Sequence, residues 1–205
     1  MVRRLLMLML GTTMAVAANA AELEGIGVFE KLNKPWFLTA LYSDAEPLVA
    51  TPDGLPAMRL ELKVVEEKIS ARKFRQLWLE ALAVVHSDDA LVQLDGDLER
   101  FASVVRGELT TGDHIVLEQR GDKVVVSLNY LDHAELSAEF LPTLVNTLTA
   151  RIAPIPALKR GLTGELSANE TRQLLNQFDR LEPSLRRISQ TRRWQAQSDV
   201  QLSTL

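Results

Sequence analysis

The chain contains no cysteine, which excludes disulfides, thiolate nucleophiles, iron–sulfur clusters and cysteine-ligated zinc. Histidine is nearly as scarce. His86, His114 and His133 form no H-x-H, no H-E-x-x-H and no i, i+4 pair, so no metal ligand set is written locally into the sequence. An excess of positive charge is missing too: 27 acidic residues face 23 basic ones, a balance that implies no nucleic-acid surface. There is no G-x-S-x-G elbow. Gly25-Ile26-Gly27 has neither the third glycine of a dinucleotide loop nor the Lys-Ser/Thr of a phosphate loop. Internal repeats and low-complexity tracts are absent. What the 205 residues do supply, at 46% hydrophobic and 24% charged, is enough for one packed globular domain.

The N-terminus has its own pattern. Arg3 and Arg4 precede an apolar run from Leu5 to Val16, and Ala18-Asn19-Ala20 is an A-x-A cleavage site, so residues 1–20 read as a secretory signal. The run is too short to span a bilayer comfortably after cleavage, and with no cysteine behind it there is no lipobox. An uncleaved anchor is the alternative. A cysteine-free exported chain with so short a signal reads as bacterial and periplasmic. Removal of Arg3 and Arg4 leaves 21 basic residues against 27 acidic, a net charge of -6.

Along the mature chain, Leu23–Lys31 and Trp36–Tyr42 read as two strands joined at Asn33-Lys34-Pro35. The second is apolar almost throughout, as for a strand buried on both faces. Ser43 to Ala57, with Pro47, Pro52, Gly54 and Pro56, reads as loop. In the next segment Met58, Leu60, Leu62 and Val64 alternate with Arg59, Glu61 and Lys63, which predicts a half-buried strand.

Ser70 caps a predicted helix reaching about His86, with Phe74, Leu77, Trp78, Ala81, Leu82 and Val85 at steps of three and four. Asp88 or Asp89 is expected to cap a second helix carrying Leu91, Leu94, Leu98, Phe101 and Val105, interrupted at Gly96. Residues 115–119 and 123–128 flank Arg120-Gly121-Asp122 as a hairpin, with a short strand near 133–136. A helical stripe from Phe140 to Ile152 should stop at Pro154 and Pro156, and Ser167-Ala168-Asn169-Glu170 opens another helix that Pro183 divides. The order strands, helices, strands, helices favours an α+β fold with a mainly antiparallel sheet.

Local chemistry accounts for most polar runs. His86 before Asp88-Asp89 reads as a helix end followed by a cap, and His114 after Asp113 as turn chemistry at the entry to a strand. Glu66-Glu67 and Asp88-Asp89 read as solvated. The Phe74, Trp78, Leu82 stripe is core, or else the wall of a ligand cleft. Arg180, Arg186, Arg187, Arg192 and Arg193 against the lone Glu182 make a basic tail, expected as a solvated helix end or as a contact surface for an anionic partner.

One ordered set of residues goes further. Gly25-Ile26-Gly27-Val28, Ala40-Leu41-Tyr42 and Leu60-Glu61-Leu62 are followed by Ser70-x-x-x-Phe74-Arg75 and Trp78-x-Glu80-Ala81-Leu82. Phe101, Thr111-Gly112-Asp113-x-Ile115, Val126-x-Leu128-Asn129, Phe140-Leu141 and Pro154-x-Pro156-x-Leu158-Lys159-x-Gly161-Leu162-x-Gly164 continue it. From Gly25 to Gly164 the chain resembles the chalcone isomerase-like proteins. The resemblance implies an open-faced β-sandwich: a large antiparallel sheet, helices layered on one face, and a hydrophobic cleft between. It divides the chain into a signal (1–20), a chalcone isomerase-like domain (21–166) and a C-terminal helical extension with the basic tail (167–205).

Plant enzymes of the family cyclise a phenolate using an Arg, a Thr, a Tyr and an Asn, and non-enzymatic relatives bind fatty acids with an Arg on the carboxylate. Those positions fall here on Phe29, near Phe37, on Phe74 and on Ala81, with Thr39 and Tyr42 the nearby hydroxyls. Without a cation the cyclisation loses its electrostatic stabilisation. The expectation is therefore a non-catalytic binding or accessory protein, with no cofactor or metal and no catalytic residue assigned. An apolar, fatty acid-like ligand would lie against Phe29, Phe37, Thr39, Tyr42, Phe74 and Trp78. Two alternatives stand beside it: a lyase or isomerase rearranged around Tyr42, Thr39 or a histidine, and a structural partner whose cleft is filled.

Overall fold

The structure is a computed structural model that describes residues 21–43 and 58–202, with side chains described as far as Gln195. The signal segment 1–20 lies outside the described residues, as does the loop expected over 43–57 apart from Ser43, which ends a strand. Strands β1 (Glu22–Lys31), β2 (Lys34–Ser43) and β3 (Met58–Val64) are followed by the short β4 (Lys68–Ser70), then by helices α1 (Ala71–Ala83) and α2 (Asp88–Ser103). A second run holds β5 (Glu108–Thr110), β6 (His114–Arg120), β7 (Lys123–Leu128) and β8 (Leu131–Ser137). Helices α3 (Phe140–Thr149), α4 (Pro156–Leu162), α5 (Ala168–Arg180) and α6 (Leu185–Leu202) close the chain. Six strands form one antiparallel sheet in the order β1-β2-β3-β6-β7-β8, and β4 pairs with β5 apart from it.

Local chemistry sets most boundaries. Ser70 accepts a hydrogen bond from the Lys73 amide to start α1, and Ser167 with Glu170 makes a reciprocal capping box on α5. Ser87, rather than Asp88 or Asp89, holds the cap position of α2, which leaves both aspartates in the first turn, where the helix dipole favours them. Gly96 does not break that helix, because it lies on the exposed side with nothing near it. The stripe expected to run to Ile152 ends at Thr149. Pro156 then opens the short helix α4, where its missing N–H costs nothing.

Helix α4 explains the paired glycines of β1. A methyl group on Gly25 would stand 2.3 Å from the Gly161 carbonyl oxygen, and one on Gly161 2.5 Å from the Cα of Gly27. The helix therefore lies backbone to backbone on the strand, which only glycines permit.

The sheet is covered on both sides. On the inner face Phe29, Phe37, Leu41, Leu60, Leu62, Ile115, Leu117, Val124 and Val126 meet α1, α2 and α3 in the main core. On the outer face Ile26, Leu38 and Ala40 pack against Phe178 of α5. This is why β2 is apolar at its central positions, Thr39 excepted. It also corrects the reading of β3. Arg59, Glu61 and Lys63 do point away from the main core, but Glu61 and Lys63 are only 9% and 4% exposed, because the chain between α5 and α6 crosses above them. The basic tail is corrected in the same way: Arg187 turns inward and forks onto the fully buried Asp113, at 2.8 Å from Nε and 2.7 Å from Nη2. Arg186, Arg192 and Arg193 stay exposed.

The β1–β2 turn is shorter and earlier than expected. It consists of Leu32 and Asn33 at φ 53° and 59°, and Lys31 pairs with Lys34. Two consecutive left-handed residues make a type I′ turn, which suits the twist of the strands but favours Asn and Gly. Leucine there is strained by ~1 kcal/mol or more, and it is 89% exposed. Leu32→Asn is therefore expected to raise the unfolding free energy by about 1 kcal/mol, read as a higher urea midpoint with an unchanged slope. A lower midpoint would contradict the turn assignment.

Candidate functional site

The sheet and the first helices meet in a cluster of rings. Phe29 and Phe37 are cross-strand partners on β1 and β2, and their side chains share the inner face. Phe29 stands edge-on to Phe37 at 5.8 Å and to Trp78 of α1 at 5.3 Å. Phe74 meets Phe37, Trp78 and Phe101 at 6.2, 6.1 and 5.3 Å. Every ring in the group is at most 1% exposed. Of the six residues expected to line a cleft, Phe29, Phe37, Phe74 and Trp78 thus pack on one another. Thr39 lies fully buried on the same face, and Tyr42 lies on the opposite one.

A smaller groove survives beside the cluster. Its volume is about 290 Å³, and it runs between the β1–β2 hairpin, α1 and the connection from α3 to α4. Phe29, Leu77 and Ala81 form its floor, and Leu32, Val84, Pro154 and Ile155 its sides. Phe29 and Ala81 are the residues that the resemblance aligned with an Arg and an Asn, so this groove occupies their neighbourhood with polarity removed. Its polar residues are Glu30, Lys31 and Glu80. Lys31 Nζ lies 2.6 Å from a Glu80 carboxylate oxygen, and Gln76 donates to the other oxygen at 2.7 Å. Those two hydrogen bonds, Lys31 first, hold the Glu80 carboxyl below the ordinary glutamate range.

The outer face holds a second group of polar residues, which periodicity alone assigns to water. His114 Nε2 lies 2.9 Å from Glu61, whose other oxygen is 2.8 Å from Arg59 Nε. Lys63 binds Glu182 at 2.8 Å and donates to the Phe178 carbonyl at 3.1 Å, and the Tyr130 hydroxyl bonds to the other Glu182 oxygen. Burial raises the Glu61 pKa, but the His114 hydrogen bond and the charges of His114, Arg59 and Lys63 outweigh it and hold it below the usual range. Tyr42 is shifted upward, by burial and then by the Glu61 charge, against the Arg59 guanidinium 4.5 Å over its ring. It is a weaker acid than free tyrosine.

His114 does open a strand after a turn, as expected, but its buried ring bonds Glu61 on the neighbouring strand rather than the turn. His86 bonds Thr147 at 2.8 Å and His133 lies on β8, so neither histidine joins Tyr42 or Thr39. Among the described residues no group of His, Asp and Glu could hold a metal ion. Asp113 and Asn129 also have structural work. Asn129 donates to Asp113 at 2.8 Å and accepts from the His114 amide at 2.9 Å, which completes the socket for Arg187.

The fold is that of the chalcone isomerase-like proteins, a mixed α+β arrangement on a six-stranded antiparallel sheet. Among solved structures the chain is similar to a fatty-acid binding protein of Arabidopsis thaliana, with a TM-score of 0.53 and 13% identity over 74% of this chain and 90% of that one. No family model and no curated protein matches the sequence.

Two measurements check this geometry. Trp78→Ala should cost ~3–5 kcal/mol in urea unfolding, since an indole within a ring cluster leaves a cavity that cannot collapse. An unchanged midpoint would place Trp78 outside the core. Glu61→Gln should cost ~1–3 kcal/mol at neutral pH. A carboxyl with a depressed folded pKa stabilises above its unfolded pKa of ~4.3, and that contribution is lost as pH falls through the folded value. The difference between the wild-type protein and the Glu61→Gln variant should therefore shrink below about pH 4. A constant difference would mean that Glu61 is not ionised in the fold.

Proposed function

We propose that the protein is exported to the periplasm and binds, without catalysing a reaction on it, an apolar small molecule with an acidic end, of the fatty-acid kind. The observation that carries this reading is the groove over Phe29, Leu77 and Ala81 with Lys31 at its edge. At about 290 Å³ it lies at the lower limit of ligand pockets, so it would take a short chain or part of a long one. Lys31 is the cation placed to meet the acid, and Glu80 is its competitor. The signal pattern of residues 1–20 supports export, and the fold shared with a fatty-acid binding protein supports the ligand class.

The test is displacement of a fluorescent fatty acid from the mature protein, with Lys31→Ala and Glu80→Gln as opposed variants. Lys31→Ala should weaken binding severalfold. Glu80→Gln, which frees Lys31, should tighten it by up to ~fivefold, the range of an exposed ion pair. Binding equal in all three proteins would remove Lys31 from the site, and no displaceable binding would remove the ligand reading. The same protein should not accelerate chalcone cyclisation, because Phe29 and Ala81 offer no charge to the developing enolate. A rate rising linearly with protein concentration would return it to the enzymes.

The packed rings favour a second reading, a structural partner whose cleft is filled by its own side chains. In that case Arg186, Arg192 and Arg193 on the outer side of α6 are the natural contact surface. Among the described residues no helix is long and apolar enough to cross a membrane.

A further inference from the structure

The three histidines differ in what they hold. His86 and His114 bond through Nε2 to Thr147 and Glu61. The Nε2 of His133 is closed to water and has no hydrogen-bond partner. A neutral imidazole so placed forgoes one hydrogen bond, which a fold can carry. Protonated, it becomes a buried charged donor without an acceptor, which costs far more.

Its surroundings show what closes it in. Strand β8 is an edge of the six-stranded sheet, and the outer side of an edge strand is open unless another element covers it. Ser127 pairs with Asp132 and Val126 with Ala134, so His133 is the extra residue of a β-bulge. The end of α6 seats on both sides of it. Gln195 donates to the Asp132 carbonyl at 2.8 Å, and Trp194 lies so close over Gly107 that a methyl group there would stand 2.8 Å from its Cζ2. Gly107 follows Arg106, whose charge reaches His133. Further back along α6, Arg187 forks onto Asp113 and Thr191 is buried, so the part beyond Thr191 can lift without disturbing the sheet.

The nearby charges oppose protonation. Burial first, and the Arg106 charge second, hold the His133 pKa below its ordinary value of 6.5, against the Asp132 carboxylate. Both oxygens of Asp132 are already engaged, by Ser127 and Arg120. Of the other elements packed on β8, β7 brings Lys123, paired with Glu135, and α2 brings Asp97, bound by Arg100 and Ser137. On α6, as far as Gln195, Arg192 and Arg193 face water.

We propose that His133 is a pH-sensitive latch for the end of α6. Uncharged, it lies covered by the helix; protonated, it drives the part of α6 beyond Thr191 off β8 and exposes Trp194 and the Asp132 carbonyl of the edge strand. Neither the groove nor its ligand takes part. A histidine whose docked pKa is depressed stabilises docking above its ordinary value, and that contribution is lost as pH falls below it. Each pH unit in that window favours the open form by up to ~tenfold, until the docked value is reached.

The test is amide hydrogen exchange of the mature protein at about pH 7.5 and about pH 5, corrected for intrinsic rates, with proton NMR titration of the histidine rings. At the lower pH the end of α6 should lose protection about tenfold or more while α1 keeps its own, and His133 should titrate below the ordinary histidine value. His133→Leu, which has no group to protonate, should keep the end of α6 protected at both pH values. Equal protection of α6 at both, the same loss in His133→Leu, or a loss that α1 shares would each overturn the latch. So would a His133 titration at or above the ordinary value, a measurement on the wild-type protein that stands even where His133→Leu fails to fold.

Discussion

Phe29, Phe37, Phe74, Trp78 and Phe101 meet edge to face where the sheet faces α1 and α2, and the rest of the structure depends on that filled space. Edge-on rings are each worth about 0.5–1.5 kcal/mol beyond the area they bury, and they fix relative orientation as well as separation. They therefore set how α1 lies on β1 and β2. With that interior filled by side chains, the space left beside it lies at the cluster's margin. The groove along Leu77 and Ala81 is that margin, and its shape follows from the cluster's outer edge.

The opposite face is organised by charge. A sheet with Glu61, Lys63 and His114 side by side would normally leave that face to water. Here α5 and the segment around Pro183 cover it, so each charge has to find a partner, and each does. Glu182 serves Lys63 and Tyr130, and Arg187 serves Asp113, so the two helices are fixed to the sheet at points nine residues or fewer apart along the chain from Phe178 to Arg187. Unpaired buried charge costs far more than a pair returns, so these contacts specify where α5 and α6 sit more than they stabilise the whole.

How much of this the sequence showed depends on separation along the chain. Ser70 and the Ser167–Glu170 box are legible because a cap and its partner lie three residues apart. The apolar run of β2 gave away burial on both faces, because alternation fails only when neither side is wet. Periodicity in β3 identified the correct face for Glu61 and Lys63. It could not say what covers that face, since Lys63 and Glu182 are 119 residues apart. The groove was legible only through resemblance, which placed Phe29 and Ala81 together. Its Lys31–Glu80 pair joins residues 49 positions apart, and no local pattern announces it.

The hairpin tip shows the opposite relation between local preference and global use. At the N-caps of α1, α2 and α5, each a serine, the residue that the backbone prefers is the residue present. Consistency of that kind is what gives a chain a single fold. Leu32 breaks it, and nothing in the interior compensates, since its side chain touches water over almost all its surface. Asn129 and Tyr130 adopt the same pair of left-handed conformations between β7 and β8, yet there both side chains are engaged, with Asp113 and with Glu182. The two turns are geometrically alike and differ in what their side chains hold. One is fastened to the fold, and the other faces outward beside an apolar groove, which is where local strain without internal compensation belongs if it serves recognition.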